Sequence, residues 1–105
     1  MHLKIPKSSV PDPLHFIRRA GYGVVLDRRA GTVKSYVKRI HGDQFPRFHL
    51  YVETQGDEWV FNLHLDQRAP VYAGVTAHSG EYEGAVVERE AERIAQHLNS
   101  AAAQR

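Results

Sequence analysis

The chain has 105 residues, of which 42% are hydrophobic and 25% charged, no cysteine, and a formal net charge of +2. This length suits one domain around one core, and the missing cysteine excludes disulfides, Cys-ligated zinc, iron–sulfur clusters and thiol nucleophiles. No stretch approaches the ~20 apolar residues of a membrane span, and the N-terminus lacks the apolar run of a signal peptide, so a single cytoplasmic domain over 1–105 is expected.

Residues 1–11, with Pro6 and Pro11 and little periodicity, read as an extended N-terminal arm. Asp12-Pro13 is the signature of a helix start, a capping carboxylate followed by a proline whose missing N–H costs nothing there. Gly21 supplies the stop. The first helix is therefore expected over about 13–20, with Leu14, Ile17 and Ala20 as its apolar stripe and Phe16 to one side.

Four β-favouring runs follow: Val24 to Leu26, Thr32 to Ile40, Phe48 to Glu53 and Trp59 to Asp66. The short connections Arg28-Arg29-Ala30-Gly31 and Gln55-Gly56-Asp57 allow only antiparallel pairing. Residues 67–83 show no clear element, a length at which loops usually carry function or disorder. Glu83 to about Ala101 then reads as a helix with Val87, Ala91, Ile94, Ala95 and Leu98 on one face, ending in a frayed tail over 100–105. The expected fold is α+β in the order α-β-β-β-β-α. An antiparallel meander of three to four strands carries both helices on one face and leaves the other face open.

The open face is where chemistry is expected. If Phe48, Leu50 and Val52 face the core with Trp59, Phe61, Leu63 and Leu65, the opposite side displays Arg47, His49, Tyr51 and Glu53 beside Val60, Asn62, His64 and Asp66. Shared faces require paired residue numbers to have an odd sum, with 111 and 113 as the candidates. A sum of 113 sets His49 against His64, and 111 sets Arg47 against His64.

Seven histidines are many for this length, and His49, His64 and His78 fall on that face or just after it. With Asp66 they could ligate Zn or another divalent metal through imidazole and carboxylate, although no compact zinc signature is present. The two strand imidazoles could also act as an acid and base pair beside a phosphate, with Arg47 as electrophile. The plain alternative is a solvated surface without chemistry. Ala77-His78-Ser79-Gly80 lacks the context of a serine hydrolase elbow.

Charge is divided unevenly along the chain: residues 1–50 carry ten Lys/Arg against three Asp, net +7, and residues 51–105 carry four Arg against nine acids, net −5. If Val33 and Val37 point inward, Lys34, Tyr36 and Lys38 join Arg47, His49 and Tyr51, with Arg28 and Arg29 extending the surface from the turn. Cations for phosphates and tyrosines for stacking would suit single-stranded RNA. The expectation is thus a binding module for RNA or another phosphate-rich partner, with enzymatic activity left open. The alternatives are a His/Asp metal site and a protein-binding or dimerising domain anchored by Phe45 and Tyr72.

Overall fold

The computed structural model describes residues 1–67 and 79–103. In chain order the elements are β1 (His2–Pro6), α1 (Pro13–Arg19), β2 (Gly23–Asp27), β3 (Thr32–Arg39), β4 (Arg47–Gln55), β5 (Glu58–Asp66) and α2 (Ser79–Ala103). All strands pair antiparallel in one sheet of order β1-β5-β4-β3-β2. The α+β class holds, but the sheet has five strands and not three to four, and α1 is only seven residues long.

The additional strand comes from the segment expected to be a free arm. Leu3 lies opposite Phe61 and Ile5 opposite Trp59, so two alternating apolar side chains find partners on β5. Ile5 is 5% exposed. An alternation of two residues is too short to register as a strand by periodicity, and its pairing partner lies more than fifty residues away in sequence.

Residue chemistry explains the remaining elements. Asp12 caps α1 by accepting from the His15 N–H at 3.1 Å, and Pro13 occupies the first turn. Phe16, Ile17 and Ala20 are buried, whereas Leu14 is exposed, so the buried stripe of α1 is rotated from the expected one. The β4–β5 hairpin turns through Gly56 at φ +59° and Asp57, the left-handed geometry glycine adopts without strain. Both helices pack on one sheet face. Phe16 meets Phe61 at 6.1 Å between ring centroids and His97 of α2 at 4.9 Å, and Val86, Val87, Ala91 and Ile94 complete the core.

A polar clamp joins the helices where α1 ends. Glu90 of α2 is 5% exposed and accepts from the Tyr22 hydroxyl at 2.5 Å and from Arg93 Nε at 2.7 Å, while Arg93 Nη2 also donates to the Ala20 carbonyl at 2.7 Å. Burial alone would raise the Glu90 pKa, but hydrogen bonds from Arg93 and Tyr22 and the charges of Arg93 and Lys38 outweigh it and hold the carboxyl below its ordinary value. Tyr22 is pushed the other way, by burial first and then by Glu90, and stays neutral. Among the described residues no helix is long and apolar enough to cross a membrane.

Candidate functional site

On the face away from the helices, the β4–β5 register has a sum of 113: Arg47 opposes Asp66, His49 opposes His64, Tyr51 opposes Asn62 and Glu53 opposes Val60. His49 is held from both sides, its Nδ1 2.7 Å from Asp66 Oδ2 and its Nε2 2.7 Å from Ser35 Oγ on β3. Asp66 is an acceptor, so Nδ1–H donates to it, and Nε2 shares the second hydrogen bond with the Ser35 hydroxyl. Arg47 Nε donates to the same Asp66 oxygen at 3.4 Å, and its guanidinium lies 4.7 Å over Phe45. Tyr51 stacks on His49 at 4.5 Å, and His64 meets Tyr51 edge-on at 5.9 Å.

This arrangement limits the chemistry available. Because both His49 nitrogens are hydrogen-bonded, the ring has no free lone pair for a metal or for a substrate proton. Among the described residues no group of three or more His, Asp or Glu is placed to hold a metal ion, so His49, His64 and Asp66 do not by themselves make up a three-ligand site. His78, the fourth candidate, and Tyr72 lie outside the described residues. The Asp66–His49–Ser35 order is that of an activated nucleophile, but Ser35 is 1% exposed and sealed beneath its neighbours. The line therefore acts as an internal lock on the His49 ring.

β3 presents the opposite face from the one expected. Tyr36 pairs with Leu50 and Lys38 with Phe48, while Val37 pairs with His49 and Arg39 with Arg47. Tyr36 and Lys38 therefore stand on the helix-bearing side and do not join Arg47, His49 and Tyr51. Lys34 is exposed near an irregularity in the β2–β3 ladder at Val25/Leu26. The cause is area: the Tyr36 ring, 6% exposed, buries more apolar surface opposite Leu50 than Val37 would. Burial, followed by the Asp12 charge, raises the pKa of its phenol.

The slip moves the cations to a different surface. The β3–β4 ladder stops at Tyr36 and Leu50, so Val25–Asp27 and Thr32–Ser35 continue toward their turn paired only with each other. Arg28 and Arg29 sit exposed in that turn, where Asp27 accepts from the Arg29 and Ala30 N–H groups. Lys34 follows, then Lys38, whose Cε lies 3.3 Å from the position a Gly21 Cβ would take. Gly21 directly follows Arg18, Arg19 and Ala20 at the end of α1, and both arginines are exposed. Among the described residues none of Arg18, Arg19, Arg28, Arg29 and Lys34 enters a salt bridge. From Thr32 to Lys38, six residues at ~3.3 Å each, this edge is about 20 Å long.

An open cleft of about 290 Å³ lies at the far edge, between Met1, Leu63, His64, Leu65, Gly84, Val87 and Glu88. It joins the His64 side of the open face to the start of α2. Neither Ser35 nor Arg18 and Arg19 was picked out in the sequence. Ser35 sits between two valines in an alternation that read as inward, and the end of α1 comes near Lys38 only at Gly21, through packing. Comparison of the chain with protein-family models, with curated proteins and with solved structures finds no match in any of the three.

Proposed function

We propose that the protein is a binding module for RNA, held by its phosphate backbone along the edge formed by Arg28, Arg29, Lys34, Lys38, Arg18 and Arg19. The supporting observation is that, among the described residues, Arg18, Arg19, Arg28, Arg29 and Lys34 are exposed and enter no salt bridge, while Lys38 is half-buried on the same side of the sheet as the helices. Evolved surfaces interleave charges of both signs, so exposed cations answered among the described residues by Asp27, itself engaged with its own turn, and by Glu90 near Lys38, suit a polyanion. Arg47 and Tyr51 are not part of this edge, because they face the other side of the sheet, and Arg47 is already committed to Asp66. No catalytic step is assigned to His49.

The test is fluorescence anisotropy of labelled RNA across a salt series. With about five phosphate contacts and a slope near −0.7 per contact for a single strand, affinity falls about a hundredfold between roughly 50 and 200 mM salt. Arg28→Ala/Arg29→Ala and Lys34→Ala/Lys38→Ala should each flatten that slope by about 1.4. Salt-insensitive binding, or binding untouched by both double variants, would refute the proposal.

A further inference from the structure

We infer that β2 is a self-pairing edge, on which a second copy of this chain docks once the arginines beside it are neutralised; the inference rests on the RNA proposal above only for the neutralising ligand. β1 and β2 are the two edges of the sheet, and they are guarded differently. β1 carries Lys4 and Pro6, residue types that keep an edge from accepting another strand, whereas Gly23–Asp27 contains no lysine, arginine or proline. Among the described residues no strand pairs with the outer side of β2. The irregularity at Val25/Leu26 leaves Lys34 as the extra residue on β3, so β2 itself stays regular. Leu26 and its cross-strand neighbour Val33 are 58% and 40% exposed, which leaves an apolar pair beside that edge.

The occupant this strand suits is its own copy. Antiparallel pairing about a two-fold axis at Val25 sets Val25 against Val25 of the second copy. It also sets Val24 and Leu26 of each copy against Leu26 and Val24 of the other, so every apolar residue of the run meets an apolar one. Gly23 then opposes Asp27, and Arg28 and Arg29 of each copy are carried toward the Gly21-Tyr22 loop of the other, the loop that follows Arg18 and Arg19. All four arginines are exposed and, among the described residues, enter no salt bridge. Gathering them opposes pairing. The strand offers only five residues a side, against roughly 20–30 in a standard interface, so pairing alone does not overcome that repulsion. A polyanion laid across both copies, or salt that screens the arginines, removes it and lets the edges close.

The chain contains no cysteine, so one introduced thiol reports this contact. Opposed residues of antiparallel strands have Cα atoms about 4.5–5.5 Å apart, inside the ~4.4–6.8 Å span of a disulfide. Val24→Cys, Val25→Cys and Leu26→Cys, each with a urea midpoint close to that of the unaltered chain, are oxidised with diamide under three conditions. These are about 50 mM salt, the same salt with an RNA of about twenty nucleotides, and about 0.5 M salt without RNA. Val25→Cys should form disulfide dimer at least about tenfold faster with RNA than without it, and faster at high salt than at low salt. Val24→Cys and Leu26→Cys should lag behind it in both, because each faces the other position across the axis. Equal rates at the three positions, or no dimer at high salt, would overturn the inference and leave RNA binding, read separately by anisotropy, standing. RNA that binds without accelerating the Val25→Cys disulfide would overturn it as well. Salt-promoted dimer from Val25→Cys in a protein that binds no RNA would support the self-pairing edge and refute the proposed function alone.

Discussion

Replacing Tyr22 by Phe removes one hydroxyl and nothing else from the clamp between the helices. That hydroxyl donates to Glu90 at 2.5 Å, within a site where the Glu90 side chain is 4% exposed. A hydrogen bond to a buried charged group contributes about 1.5–3 kcal/mol, and the Phe ring preserves the packing, so the expected loss is about 2 kcal/mol. Glu90→Gln removes the charge that Arg93 grips with two donors at 2.7 and 2.9 Å. Breaking a buried ion pair costs about 3–5 kcal/mol; the Arg93 side chain is 41% exposed and regains water, so the lower end, about 3 kcal/mol, applies. Urea unfolding followed by Trp59, the one tryptophan of the chain, reads both changes. With a slope of about 1–3 kcal/mol per molar urea, the Tyr22→Phe midpoint should drop by roughly 1–2 M. Because the two residues share one hydrogen bond, the double variant should lose about 0.5–3 kcal/mol less than the two single losses combined. A Tyr22→Phe loss below about 0.5 kcal/mol, or full additivity with Glu90→Gln, would refute the clamp as a stabilising unit.

The same clamp sets an acid limit. Glu90 has a folded pKa below its unfolded value of 4.5, so its contribution is fully present above about 4.5 and is lost as pH falls through the depressed folded pKa. Urea midpoints measured from neutral pH downward should decline in that window, and Glu90→Gln should flatten the decline. Ser35→Ala leaves His49 Nε2 without its partner in a side chain 15% exposed, which should cost about 1 kcal/mol in the same urea assay. A fluorophosphonate reagent should leave the intact mass unchanged because Ser35 is 1% exposed; an adduct at Ser35 would mean that the line to Asp66 activates a nucleophile. Gly21 has φ +105°, and a Cβ there would stand 3.3 Å from Lys38 Cε, a flexible end that can move. Backbone strain dominates, so Gly21→Ala should lower stability by about 1–2 kcal/mol, seen as a fall of several degrees in the melting temperature.

Local sequence was sufficient wherever the deciding interaction is local. Asp12-Pro13 announced α1 because a cap and its first turn lie within four residues. The alternation of β4 and β5 separated their faces and narrowed the register to two sums, and the structure, turning at Gly56-Asp57, takes the one that sets His49 against His64. The 3.6-residue period of α2 was legible from Val87 to Leu98, although Ala95 is exposed and the buried Glu90, a polar residue on that face, was not anticipated.

Tertiary structure alone decided the remainder. β3 carries apolar groups on both of its faces, Val33 and Val37 on one and Tyr36 on the other, so its own pattern could not orient it. Pairing of Tyr36 with Leu50 did, and that one-residue choice carried Lys38 away from Arg47 and brought Ser35 to His49. β1 became a strand only through β5, and the loop after α1 met β3 only through the approach of Gly21 to Lys38. In each case the energy resides in contacts between segments far apart in the chain, where burial of the larger apolar area outweighs whatever preference the segment has by itself.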